Sequence, residues 1–293
     1  MELPLVVGVD GSEPALRALD WAADEAALRG LPLRIVYASL WERYEGAAPA
    51  EGLGGSSEQV RADNIVETAA RRAHRREPDL KVSAEVLREE SVPALLREGR
   101  NAFALVVGGR GRSGIAELLL GSVGLAVAAR ADCPVVVLRG SRGDRAGTEA
   151  RHRVVLGVAE QPRNTQAVRF AFQEAAVHGA VLEAVRAWRC PAYETTDHPL
   201  LAGEPAHEHE RRATQTLDEA LRAAASEHPG VELHRRVVEG TARTALLDAS
   251  SGAGLLVVGA RRRQGHFGLQ LGRVAHTLLH HSACPVAVVP ERD

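Results

Sequence analysis

The sequence predicts an α/β protein made of two tandem copies of one unit, each a parallel sheet covered by helices on both faces. Three observations predict it. First, segments recur in order: LVVGVDGS from residue 5 and VVLGVAEQ from 154, ALVVGGRGRSG from 104 and LLVVGARRRQG from 255, ADCPVVVL from 131 and SACPVAVV from 282. Gly108 thereby aligns with Gly259, Gly121 with Gly272, Cys133 with Cys284 and Pro134 with Pro285. A period of this length marks a repeated structural unit. Second, short apolar runs alternate with longer amphipathic stretches. Third, the short runs are almost continuously apolar, as strands buried on both faces are. Right-handed crossovers make a doubly wound sheet the economical topology. The first domain is expected at 1–140 and the second at 152–293, divided within RGSRGDRAGTEARHR (139–153), a linker composition.

In the first copy, Pro4–Val9 reads as a buried strand and Pro14–Leu28 as a helix with Leu16, Leu19, Ala23, Ala26 and Ala27 on one face. Ser12 is placed to cap that helix and Gly30 to end it. A second strand is expected at Leu33–Ala38, followed by a Gly-, Ala-, Glu- and Ser-rich loop at 42–56. Gln59–Arg76 has helical periodicity, and Lys81–Leu87 alternates like a strand with Val82, Ala84 and Val86 on one side. Ser91 is expected to cap a short helix running through Arg100. Strand Ala104–Gly108, a glycine loop, helix Ser122–Ala131 and strand Pro134–Leu138 close the copy. The second copy repeats this order, with a variable region at 189–210.

Composition narrows the function. A net charge of −2 gives no global basic field for nucleic acid or anionic lipid, so neither is an expected partner. No apolar run approaches the roughly 20 residues that span a bilayer. The N-terminal MELPLVVGVDGS carries no basic segment before its strand pattern, which predicts no secretory leader. Three cysteines make no disulfide framework, and a cytoplasmic location is expected.

The chemistry concentrates in GGRGRSGIAELLLGS, residues 108–122. Ligands in doubly wound sheets sit beyond the carboxyl ends of strands where the winding reverses. Glycine lets backbone N–H groups approach a ligand, and successive N–H groups form an anion-binding concavity. A helix starting at Gly121-Ser122 adds free donors and the positive end of its dipole. Arg110 and Arg112 can add charge, and the Ser122 hydroxyl can meet a phosphate oxygen or cap the helix. Asp10 offers acceptors to an amino or hydroxyl group at the other end of a nucleotide. Plain turn formation is the competing explanation of such glycines. A P-loop is excluded because Lys81, the single lysine, lies far from the motif. The dinucleotide fingerprint is excluded because Asp10-Gly11-Ser12 follows the first strand.

These residues resemble a known family. Gly108-x-x-Gly111, nine residues, then Gly121-Ser122 is similar to the nucleotide-binding signature of ATP-binding universal stress proteins. VGVDGS at 7–12 and ADCPVVVL at 131–138 resemble the same family at both ends of the unit. The resemblance covers nearly the whole chain, twice. It implies an adenine-nucleotide α-hydrolase-like fold with a five-stranded parallel sheet in each domain. It also implies an ATP cofactor, with magnesium as a candidate companion, and a role as a nucleotide-dependent regulator in the stress response. By the resemblance, Gly108, Gly111, Gly121 and Ser122 fall at phosphate and ribose positions, flanked by Arg110, Arg112 and Val123. Gly8 and Asp10 fall beside adenine and ribose, and Val36 where backbone meets adenine. The family's protomers pair through the final strand, so CPVVVL and CPVAVV are expected to pair within this tandem chain, with a homodimer of chains also open.

The second copy departs from the motif. Ala159 stands for Asp10, Arg262 for Gly111 and Arg273 for Ser122. Loss of the ATP site is the favoured expectation; anion binding by Arg261, Arg262, Arg263 and Arg273 is the alternative. His276 and His280 have a metal-ligand spacing beside His281, and His207 and His209 form a second group, but a helix end accounts for such histidines without metal. Cys133 and Cys284 read as small buried residues, and RRAHRR at 71–76 as a solvated helix end. No general base or nucleophile stands out, so turnover is expected to be slow at most. A slow ATPase or nucleotidyl-transferring enzyme, and a nucleotide-independent scaffold using the 42–56 and 189–210 loops, remain alternatives.

Overall fold

Apolar strands and amphipathic helices alternate through the computed structural model, which describes residues 2–39, 57–109, 121–138, 152–159, 165–190, 204–261 and 271–291. The chain divides into two compact units, Met1–Gly140 and Ser141–Asp293. The first contains β1 (Leu5–Gly8), α1 (Glu13–Arg29), β2 (Leu33–Ala38), α2 (Ser57–Arg76), β3 (Val82–Leu87), α3 (Ser91–Gly99), β4 (Ala104–Gly108), α4 (Ser122–Arg130) and β5 (Val135–Leu138). The strands are parallel and lie in the order β3-β2-β1-β4-β5. Helices α1 and α2 pack together on this sheet, and α3 packs against α4.

The pattern that predicted the strands is the pattern of burial. Leu5, Val6, Val7, Leu105 and Val106 are buried, as central strands covered on both faces must be. Half of edge strand β3 is exposed, Ala84 included; Val82 and Val86 of its predicted apolar side are half-buried, and Leu87 is buried. In α1 the buried stripe is Ala15, Ala18, Leu19, Ala22, Ala23 and Ala26, so Leu16 and Ala27 sit at its margin. Ser12 caps α1 by accepting the Ala15 N–H, and Gly30 closes it by bonding the carbonyls of Ala26 and Ala27.

Two expectations need correction. Ser91 does not cap α3; Glu90 holds the cap position without a side-chain bond, and Ser91 is the first helical residue. RRAHRR is not simply solvated. Arg72 bonds both carboxylate oxygens of Asp20 at 2.6 Å, and Arg76 pairs with Asp24, one helical turn on. The arginines therefore tie α2 to α1 by planar, two-pronged contacts.

The second unit contains β6 (Arg153–Gly157), α5 (Thr165–His178), β7 (Val181–Trp188), α6 (Glu204–Glu227), β8 (Leu233–Glu239), α7 (Ala242–Ser250), β9 (Leu255–Arg261), α8 (Arg273–His281) and β10 (Val286–Glu291). Its parallel strands lie in the order β10-β9-β6-β7-β8. Arg153 anchors α7: its guanidinium donates to the carbonyls of Gly252 and Ala249 at 3.1 and 3.0 Å, and pairs with Glu183 at 2.8 Å. The variable region is shorter than its composition suggested, because His207 and His209 belong to α6. The 42–56 loop lies outside the described residues. Among the described residues no helix is long and apolar enough to cross a membrane.

Candidate functional site

The winding of the first sheet reverses at β1, which pairs with β2 on one side and β4 on the other. A cleft of about 260 Å³, measured over the described residues, opens at the carboxyl ends of these strands. This is where an open α/β sheet leaves a crevice. Gly8, Asp10, Val36, Gly108, Gly121, Ser122 and Val123 all line it. Arg110, Gly111 and Arg112 lie outside the described residues.

Each wall has a local cause. After β1, Gly11 takes a φ of 77°, a left-handed conformation that favours glycine, and turns the chain into α1. Asp10 Oδ1 accepts both the Ser12 N–H at 2.9 Å and the Ser12 hydroxyl at 2.5 Å, which fixes the carboxylate at the cleft; neither bond uses Oδ2. The Val36 carbonyl accepts the Val9 N–H at 2.9 Å, extending the β1–β2 ladder to the rim.

The far wall is the start of α4. The Gly109 N–H bonds the Leu138 carbonyl, and the Gly121 N–H bonds the Gly109 carbonyl at 2.6 Å. Gly121 is thereby held beside the end of β4. It is the N-cap of α4, with φ −62° and no side-chain cap bond. The N–H groups of Ser122, Val123 and Gly124 precede the first intrahelical bond, from Leu125 to the Gly121 carbonyl at 3.2 Å. Ser122 is the first residue of the helix, exposed, and does not cap it. The far wall thus presents backbone donors, a dipole end and one hydroxyl, all suited to an anion.

Sequence patterns did not single out Val9, Ala15, Ala38, Ser91, Leu95, Val107 or Gly124, which complete the lining. Most are ordinary core residues whose place at a rim depends on which strands are neighbours. Among the described lining residues the polar side chains are Asp10, Ser91 and Ser122.

The equivalent end of the second sheet has the same framework. The Val158 N–H bonds the Val185 carbonyl at 2.9 Å, as Val9 bonds Val36. A Cβ on Gly157 would meet Leu246, as one on Gly8 would meet Leu95. Helix α8 starts from Gly272, again without a side-chain cap, but its first residue is Arg273. Ala159 is exposed where Asp10 stands in the first unit. Arg262 and Arg263 lie outside the described residues, as does the Arg261 side chain.

The histidine rings on α8 are tilted against one another: those of His276 and His280 lie 4.5 Å apart, with His281 6.2 Å from His280. Nε2 of His280 is buried, which withdraws it from a metal ion in solvent. Cys133 and Cys284 are buried, and burial raises their thiols to about 12 and about 11 respectively.

The sequence profile of the Universal stress protein family matches residues 3–139 and again residues 150–290. The chain belongs to the universal stress protein family. The universal stress protein Rv2005c of Mycobacterium tuberculosis is 32% identical over 97% of this chain and 96% of its own length. Another from that organism, Rv2623, is 31% identical over 99% and 97%. A universal stress protein from Archaeoglobus fulgidus has a crystal structure similar at a TM-score of 0.70 and 17% identity, covering 99% of this chain and 98% of that one. That likeness is one of fold. In this universal stress protein the cleft of the first unit brings the described polar side chains Asp10, Ser91 and Ser122 to one cavity.

Proposed function

We propose that this universal stress protein binds ATP in the cleft of its first unit and acts as a nucleotide-dependent regulator. The observation that carries the reading is the convergence of Asp10 with the open N–H groups and hydroxyl of the α4 start on one cleft. The α4 end takes the phosphates, aided by Arg110 and Arg112 and by the close approach that Gly111 and Gly121 permit. Asp10 accepts from ribose hydroxyls. The apolar wall, with Val36 and Gly8, takes the base. The second unit does not bind ATP in this mode, because Ala159 removes the acceptor and Arg273 puts a guanidinium at the helix start. Regulation then requires that ATP favour one conformation or association state over another.

Calorimetry on the full chain should find about one ATP per chain. Ser122→Arg, which copies the second unit, should weaken that binding at least about tenfold by filling the phosphate volume. Mass spectrometry of small molecules released from freshly purified protein should find an adenine nucleotide. Unchanged ATP affinity in Ser122→Arg would move the phosphates elsewhere, and absence of binding to wild type would end the reading.

A further inference from the structure

The first residue of α3 lies in the cleft although no glycine motif points to it. Ser91 is half-buried, and its hydroxyl donates to the Ala38 carbonyl at 3.2 Å. A carbonyl oxygen can only accept, so the one hydroxyl proton is committed to Ala38. What Ser91 Oγ can show the cleft is lone pairs. The cleft that it lines is otherwise largely apolar, with Val36, Ala38, Leu95 and Val107 among its walls. In such surroundings a polar ligand atom discriminates strongly, because a mismatched group is left desolvated and unpaired.

We propose that Ser91 selects the base: its Oγ accepts a hydrogen bond from the exocyclic amino group of a 6-aminopurine and disfavours a 6-oxopurine. The inference rests on the nucleotide reading and sharpens it. A 6-oxo group would bring a second acceptor against Ser91 Oγ. The serine could answer only by releasing the Ala38 carbonyl, which forfeits a bond to gain one.

The second unit gives an internal comparison. Helix α7 begins at Ala242 where α3 begins at Ser91, and Leu246 meets Gly157 as Leu95 meets Gly8. All three polar side chains among the described lining residues of the first cleft therefore differ at once: Asp10 becomes Ala159, Ser91 becomes Ala242 and Ser122 becomes Arg273. Joint replacement is expected of groups that serve one ligand, whereas a hydroxyl that merely fastened α3 to β2 would be useful in either unit.

Calorimetric titration of the full chain with ATP and with inosine triphosphate, in wild type and Ser91→Ala, separates the possibilities. Wild type should prefer ATP. Ser91→Ala should lose about three- to tenfold in ATP affinity and hold or gain affinity for inosine triphosphate, so that the preference collapses. Equal weakening of both ligands would mean that Ser91 only positions the helix, and would overturn the proposal. So would a wild type that binds both nucleotides equally, a result that needs no variant. If wild type binds neither, the nucleotide reading itself fails, and this inference with it.

Discussion

Gly108 shows how one residue can serve packing and site together. Its backbone is unstrained, yet a Cβ there would lie 2.7 Å from the carbonyl carbon and oxygen of Pro14 and 2.9 Å from the Ala15 nitrogen. Those are backbone atoms of the first turn of α1 and cannot step aside cheaply. The missing side chain seats α1 on the end of β4, and with it the Asp10–Ser12 turn. Gly108→Ala should therefore lower the stability of the first unit by about 1–3 kcal/mol, read from urea unfolding, besides disturbing the cleft. Full stability with lost ligand binding would instead make Gly108 a contact for ligand alone. The glycine was visible in the sequence; its close neighbour was not, because Pro14 lies far away along the chain.

Between elements, the α1–α2 contact carries a similar lesson. Asp20 and Asp24 are four apart on α1, and Arg72 and Arg76 four apart on α2, so both pairs repeat with the helical turn. Hydrogen bonding to Asp20 raises the Arg72 guanidinium above its usual range, and Asp24 does the same for Arg76. These pairs are partly exposed, which limits their value. A double-mutant cycle on Asp20→Ala and Arg72→Ala should give a coupling of about 0.5–1 kcal/mol that shrinks in high salt. A coupling of zero would make the ladder a consequence of helix packing and not a contributor to it. Charge spacing on one helix is legible in sequence, but a charged stripe looks solvated until its partner helix is known. The same holds for Ser91, whose type and neighbours suggested a cap; tertiary contact with the end of β2 gave its hydroxyl the Ala38 carbonyl instead.

Across the whole molecule, each repeated unit has its own core of the same pattern, and the two differ in chemistry. Each closing strand is preceded by a buried cysteine, Cys133 or Cys284. Desolvation raises both thiols above the ordinary 9.0, to about 12 and about 11. Since the folded values exceed the unfolded one, this contribution to stability is intact below pH 9 and is lost as pH rises toward 11–12. Unfolding free energies should fall above pH 9, and replacing both residues by alanine should flatten that fall. In native protein at pH 8, a thiol reagent should label the half-exposed Cys190 well before the other two. Rapid labelling of Cys133 would show its strand opening on the timescale of the assay.

The sequence by itself determined the repeat, the strand and helix order, and half of the described residues that line the first cleft. It could do so because burial imposes period and composition on each strand, and because tight turns and helix starts demand particular residues locally. Only the tertiary structure decided which strands are neighbours, and hence that Ser91, Leu95 and Ala38 join Asp10 and the α4 start around one cavity. Neighbour relations between strands come from long-range packing, which leaves no fixed spacing along the chain for a reader of the sequence to find.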